Sequence, residues 1–254
     1  MNNNFTLIWS FRNRFEILKK SILSAHKYSP LDVDFCLIDA ASDEETIKQL
    51  RELCNSLEGR TIRICESSFR SSLSQAWNLG MMLTKNRYVI FSSSDVLFTN
   101  SGWVEALKEV IINQGNEYVL IDNHAVFGFD KKVIPKMGWF DEEFGIGPHF
   151  DTDFMIRASE NNIRFGILQN NGYYKHGEDD DTKQRLLSDC GDRLPMNSKV
   201  NENLFKAKWS SSWPGWIPVD ENYNNLHHPP THISQVRRMV NETDPHPIYT
   251  KLLK

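Results

Sequence analysis

Residues 87–103 read RYVIFSSSDVLFTNSGW. An apolar run from Tyr88 to Phe91 gives way to Ser92, Ser93 and Ser94, then to one carboxylate, Asp95, and then to a second apolar patch, Val96 to Phe98. A short continuous apolar run bounded by polar residues fits a strand covered on both faces, the kind found in parallel sheets. An acid directly past such a strand stands where open α/β sheets gather their ligands, beyond the carboxyl ends of the strands.

Upstream of this stretch, strand and helix patterns alternate at a short pitch. FTLIWSF (5–11) predicts a strand, and RNRFEILKKSILSAHK (12–27) puts Phe15, Leu18, Ile22 and Ala25 on one helical face. VDFCLIDA (33–40) predicts a second strand; Ser42 and Glu45 then form a capping-box pattern ahead of TIKQLRELCNSL, where Ile47, Leu50, Cys54 and Leu57 keep helical spacing. TIRICES (61–67) follows as a strand, SSLSQAWNLGMMLTK (71–85) as a helix with Leu73, Trp77, Gly80 and Met81 inward, and GWVEALKEVIIN (102–113) as the helix after the quoted strand. Strands alternating with helices in this way predict an α/β, Rossmann-like fold with a mostly parallel central sheet and helices on both faces.

Downstream the pattern loosens. YVLIDNHAVFGFDKKVI (118–134) suggests one or two strands, DTDFMIRASENN (151–162) a helix, and IRFGILQ (163–169) another strand. The segment after His176 is polar, and the tail holding KWSSSWPGW, HHPP and DPHP is rich in turn residues. The expected organisation is one domain over residues 1–190, with a half before about residue 100 and a half after it, and an irregular extension over 191–254 packed on that domain.

The chain has 254 residues, 40% hydrophobic and 24% charged, with a net charge of −4. Such a balance supplies no broad cationic field, which argues against a nucleic-acid partner. No run approaches the roughly 18 apolar residues of a membrane span, and MNNNFTLIWSF lacks the basic and apolar segments of a signal peptide, so the reading is a soluble cytoplasmic protein with no transmembrane segment. Four cysteines (36, 54, 65 and 190) lack metal-type spacing and read as reduced thiols.

The candidate chemistry rests on carboxylates at element ends. Asp95 follows a strand, and Asp151 and Asp153 open a helix. Metal-assisted group transfer needs two such sites, one to anchor a hard divalent cation on a diphosphate and one to take a proton from the incoming nucleophile. Each acid alone is equally a turn former or a helix cap. His176, after the last strand pattern and near acids, is a candidate metal ligand.

Ser10 at a strand end, LIDAASDEET, LSQAWNLGM, VIFSSSD and GWFDEEFGIGPHFDTDFMIRA occur in an order and spacing that resemble the GT-A glycosyltransferases, particularly the family-2-like inverting enzymes, over residues 5–176. That resemblance implies a GT-A fold and transfer of a sugar from a nucleotide-diphosphate sugar to a hydroxyl of a glycan or glycoconjugate. Under it, Asp95 matches the last, metal-reaching acid of the DXD motif, with Ser93 and Ser94 where its earlier residues fall; His176 matches a histidine that some relatives give to the metal, Mn2+ or Mg2+. Asp151 resembles the catalytic base of the ED segment, with Phe150 in place of its glutamate, and Asp153 and Arg157 match the later acid and arginine of that helix. Asp39 matches the first acid of a DD pair whose second position is Ala40, while Ser10, Arg12, Asn78 and Ser94 fall at donor-binding positions. Trp139, Phe140, Trp209, Trp213 and Trp216 are candidates for acceptor contacts.

Two other readings stay open. A nucleotidyltransferase would use a similar domain, although SFRNRF (10–15) lacks the glycines of a triphosphate-gripping loop. A non-catalytic carbohydrate-binding or assembly protein descended from such a transferase would explain the serines at 93 and 94.

Overall fold

The quoted apolar run is a central strand with neighbours on both sides. In the computed structural model, which describes residues 4–68, 70–121, 123–144, 149–177, 201–206 and 209, β1 (Phe5–Phe11) and β4 (Tyr88–Ser92) lie side by side and parallel, with Leu7 opposite Ile90. On the other side of β1 come β2 (Asp34–Asp39) and β3 (Ile62–Cys65), both parallel to it. Beyond β4 lie β7 (Asn123–Asp130), β6 (Tyr118–Ile121) and β8 (Phe165–Leu168), giving the order β3-β2-β1-β4-β7-β6-β8. Only β7 runs against the rest, pairing antiparallel with β4 and β6, so the sheet is the mostly parallel one predicted.

Successive residues of a strand face opposite sides, and the two cores show it. Leu7 and Trp9 face α1 (Phe15–Tyr28) and α4 (Trp103–Lys108), with Leu18, Ile22, Trp103 and Leu107. Ile8 faces the other layer, which holds α3 (Leu73–Leu83), the short α5 (Ile134–Met137) and α6 (Phe150–Glu160) with Trp77, Met81, Met137 and Phe154. Trp77 joins the parts of this second core. Its ring lies 5.0 to 5.2 Å from Phe91 of β4, Phe127 of β7, Phe140 and Phe150, the first residue of α6. Aromatic pairs in this range contribute about 0.5–1.5 kcal/mol each beyond area burial, so the start of α6 is fixed relative to the sheet.

Local chemistry sets the helix ends, and here the expected boundaries shift. The predicted capping box at Ser42 and Glu45 does not form: α2 (Glu44–Ser56) is capped by Asp43, whose carboxylate accepts the Thr46 N–H at 2.7 Å. Ser42 is drawn off by other partners, its N–H donating to Asp39 Oδ1 at 2.9 Å and its Oγ accepting the Asn13 N–H at 2.7 Å. A capping box does form at α3, between Ser72 and Gln75. The helix expected over 102–113 is α4 followed by a π-helical turn, Glu109–Asn113.

Gly80 of α3 touches β1. A Cβ added there would stand 2.6 Å from Ile8 Cγ2, closer than side chains pack. Alanine is the better helix former by about 1 kcal/mol, but overpacking a filled core costs about 1–3 kcal/mol. Gly80→Ala is therefore expected to lower stability, which a urea midpoint measures; a raised midpoint would mean that Ile8 yields freely.

A separate two-stranded ribbon, β5 (Val96–Phe98) with β9 (Tyr174–His176), sits beyond the end of β4 and pairs Val96 with His176. In sequence Val96 to Phe98 is only an apolar patch; pairing with Tyr174–His176 makes it a strand. No helix among the described residues is long and apolar enough to cross a membrane. Of the expected extension over 191–254, residues 201–206 and Trp209 are described; Phe205 and Trp209 are buried in the α3 and α6 layer, and Trp213, Trp216 and the remainder lie outside the described residues.

Candidate active site

At the carboxyl end of β4 the chain turns sharply: the Val96 N–H donates to Ser93 O at 3.3 Å, and the Ser93 N–H donates to Ala125 O of β7 at 2.9 Å. Ser93 and Ser94 are therefore turn residues that deliver Asp95 to the mouth of the sheet. The β5–β9 pairing then brings His176 beside it, with Nε2 3.4 Å from Asp95 Oδ1. Burial alone would raise the Asp95 pKa, but the hydrogen bond and charge of His176, with the Arg14 guanidinium, hold it below the ordinary carboxylate value. The same hydrogen bond raises His176 above the ordinary imidazole value, against partial burial.

Those opposite shifts set a pH window. The raised imidazole contributes stability below its unfolded pKa of 6.5 and loses it as pH rises through the folded value. The depressed carboxylate contributes above its unfolded value of 3.8 and loses it as pH falls through the folded one. The apo chain in chelator should thus lose most thermal stability from His176→Gln at mildly acidic pH, and the difference from wild type should shrink as the buffer becomes alkaline. An equal difference at all pH values would mean that the pair is not ionised.

The pair also fits a divalent cation. Metal–ligand bonds of about 2.0–2.1 Å at right angles place neighbouring ligand atoms about 3.0 Å apart, so the observed spacing needs little adjustment. Among the described residues no group of three or more His, Cys, Asp or Glu side chains is gathered for a metal, so Asp95 and His176 would supply two positions. Mg2+ and Mn2+ commonly complete such sites with water and substrate phosphates.

At the same end of the sheet, past the neighbouring parallel strands, lie the loops after β1 and β2. Asp39 ends β2 with its carboxylate accepting the N–H groups of Ser42 (2.9 Å) and Ser67 (3.3 Å). The Asp43 N–H donates to Asn13 Oδ1 at 3.0 Å, and Arg12 Nε reaches Ala41 O at 3.4 Å, so the two loops brace each other. Ser10 is half-buried at the end of β1, opposite Ile38, and Arg12 keeps a buried Nη1 with no hydrogen-bond partner among the described residues. Among the described residues, four of the five non-glycine residues with positive φ, Asn13, Arg14, Ala41 and His149, stand in these loops and at the head of α6. Strained backbone of this kind persists where surrounding structure holds it, and it gathers at functional sites.

Asp151 lies in the first turn of α6, its Oδ1 accepting the Thr152 N–H at 2.8 Å. Its Oδ2 faces His124 Nδ1, 3.6 Å away. Because His124 directly precedes Ala125, whose carbonyl holds Ser93, the acid of the β4 turn and the acid of α6 are arranged around the head of β7. Sequence reasoning passed over His124; a polar residue heading the apolar strand NHAVFGF was the available signal.

Other expected site residues turn inward. Asn78 is fully buried, its Nδ2 donating to Phe140 O and to Glu142 Oε1 and its Oδ1 accepting the Phe140 N–H, so it clamps the 139–142 loop. Phe140 stacks on Phe154 at 4.1 Å, and Trp209 donates its indole N–H to Asp153 at 2.9 Å, which commits both rings to packing rather than to an acceptor. Asp153 also takes two hydrogen bonds from Arg157, at 2.9 and 2.7 Å. Cys36, Cys54 and Cys65 are free thiols that burial pushes up to about 12, so they are poor nucleophiles.

This architecture has relatives among solved structures. A mannosyltransferase from Pyrobaculum calidifontis, PcManGT, solved with GDP-mannose and Mn2+, superposes with a TM-score of 0.56 at 14% identity over 66% of this chain. The present chain spans 58% of the length of that mannosyltransferase. Residues 1–349 of TarS from S. aureus, solved with UDP-GlcNAc, give a TM-score of 0.59 at 13% identity, covering 98% of this chain and 79% of that one. Identities so low speak for the fold alone. No curated protein matches the sequence. The profile described as Glycosyl transferase family 2 matches residues 6–185, most of the chain. The chain belongs to glycosyl transferase family 2.

Proposed function

We propose that the protein transfers a sugar from a nucleotide-diphosphate sugar to a hydroxyl of a glycan or glycoconjugate, with inversion at the anomeric carbon and with Mn2+ or Mg2+ held by Asp95 and His176. The observation that carries this reading is the ribbon that sets His176 beside Asp95 at the end of β4, in a family 2 chain whose second acid, Asp151, stands across the head of β7. A cation bound there would neutralise charge on the departing diphosphate.

The remaining roles belong to side chains. Asp39, Ser10 and Arg12, on loops that brace each other, would line the nucleoside end, and the buried Nη1 of Arg12 offers a donor to a nucleotide oxygen. Arg14, close enough to act on the charge of Asp95, and Ser94 in the turn would flank the diphosphate. Asp151 would accept the acceptor hydroxyl's proton as that oxygen attacks from the face opposite the diphosphate. Residues 1–190 would form the transferase domain, and 191–254 the extension.

A screen of UDP, GDP and their sugars by thermal shift, with and without Mn2+, tests the donor site. A ligand at 100 times its Kd stabilises by about 2.7 kcal/mol. Asp95→Asn is expected to abolish the Mn2+-dependent part of that shift, each preparation being compared with its own unliganded transition, which loss of the His176 pair lowers at mildly acidic pH. The single acid of the turn favours one alternative, a non-catalytic carbohydrate-binding or assembly protein derived from a transferase. Sugar binding with no response to any nucleotide or metal would establish it.

A further inference from the structure

We propose that His124 is the positioning residue for the base Asp151, presenting a neutral Nδ1–H to Oδ2 of that carboxylate; this rests on the reading of Asp151 as base. Three observations of placement support it. The β6–β7 register passes from Leu120 opposite Phe127 to Ile121 opposite Asn123, so His124 lies within an irregularity of the ladder. Such bulges re-aim side chains beside active sites. The imidazole is packed edge-on to Phe127, with centroids 5.6 Å apart and planes at 75°, which fixes its orientation. Its Nδ1 then faces Asp151 Oδ2 at 3.6 Å, while the other carboxylate oxygen, Oδ1, accepts the Thr152 N–H at 2.8 Å. The carboxylate is thus gripped through one oxygen by backbone and aimed through the other by His124. A contact slightly longer than a hydrogen bond is what a base shows before substrate tightens the site.

The protonation state follows from the surroundings. Asp151 is the charged group facing the ring, and the Tyr118 hydroxyl, within reach of the same charge, is kept protonated by burial and by that charge. Burial pushes His124 below the ordinary imidazole value, against the pull of Asp151, and Nε2 is enclosed with no hydrogen-bond partner among the described residues. An imidazolium would bury a second, unpaired N–H. A carboxylate only accepts, so the one proton of the neutral ring sits on Nδ1. A neutral donor orients a base without cancelling its charge, whereas a lysine or arginine in that place would weaken its affinity for the acceptor's proton.

The full-length chain provides two tests. Histidine-labelled 15N NMR, with His124 assigned through the signal lost in His124→Asn, should show the Nδ1–H tautomer at neutral pH and a loss of that preference in Asp151→Asn. An Nε2–H tautomer indifferent to Asp151→Asn would overturn the inference with no turnover needed. Release of nucleoside diphosphate from UDP-GlcNAc and GDP-mannose with Mn2+ gives the second readout. His124→Phe should lower kcat about tenfold or more with donor KM within about twofold, and His124→Asn, whose amide can replace Nδ1–H, should recover most of the loss. Wild-type kcat in His124→Phe beside an inactive Asp151→Asn would overturn the role of His124 alone, and an active Asp151→Asn would overturn the reading of the base itself.

Discussion

Asp151→Asn is expected to fold, to bind donor as the wild type does, and to lose transfer by about 10²–10⁴ in kcat, the usual contribution of a placed general base. The substitution keeps shape and removes charge. Its Oδ1 would still accept the Thr152 N–H that seats the side chain at the head of α6, and the Phe150 contact with Trp77 is untouched. Loss of activity could then not be ascribed to a displaced helix. The decisive comparison is kcat for transfer against the donor-induced thermal shift of the same preparation. A fall in kcat with the shift preserved assigns the proton transfer to Asp151, and near-wild-type turnover would remove it from the mechanism.

The second large effect is on stability. Asp153 and Arg157 are one helical turn apart on α6, with side chains 0% and 3% exposed. One carboxylate oxygen takes both Arg157 bonds, and the other takes the Trp209 indole at 2.9 Å; Arg157 Nη1 also donates to Met137 O. Removing one member of a buried pair leaves an uncompensated charge, which costs about 3–5 kcal/mol. Asp153→Ala should therefore shift the urea midpoint sharply downward, and it should also release Trp209, a change visible in tryptophan fluorescence. The double substitution Asp153→Leu with Arg157→Met removes both charges together and should recover much of the loss, as apolar replacements of whole buried pairs do. A mild effect of Asp153→Ala would mean that water reaches Arg157.

The opening strand shows how much of the fold is written locally. Tyr88 to Ser92 is buried along its whole length because β1 and β7 cover its edges and α1, α3 and α4 its faces, and an unbroken apolar run is the sequence record of that placement. The alternation of Leu7, Ile8 and Trp9 between two cores, and the inward stripe of α3, were likewise legible as periods of 2 and 3.6. Ser42 shows the limit. Its spacing to Glu45 is a cap signal, yet Asn13, distant in sequence, and Asp39, three residues back, engage it instead, and Asp43 caps the helix.

For the site, position at element ends made Asp95, Asp151 and His176 candidates, each acid alone being equally a turn former or cap, and the order of motifs that resembles the GT-A glycosyltransferases gathered them. What no local pattern contained is who meets whom. The three-residue strand Val96–Phe98 is too short to read as a strand, and its pairing with Tyr174–His176 alone turns two distant residues into neighbours 3.4 Å apart. Asn78, placed at a donor position by the family resemblance, clamps Phe140, and Asp153 is a buried partner of Arg157 and Trp209, since an amide or an acid reads the same in sequence whether it faces a ligand or the core. His124 carries in sequence only the signal of a polar residue at the head of an apolar strand. The sequence by itself determined the strand and helix order and the faces of the two cores, which depend on periodicities within single elements, and it marked the acids at element ends as candidates. Tertiary structure decided which of those polar groups share a site, because that depends on strand register and a bulge that no single segment encodes.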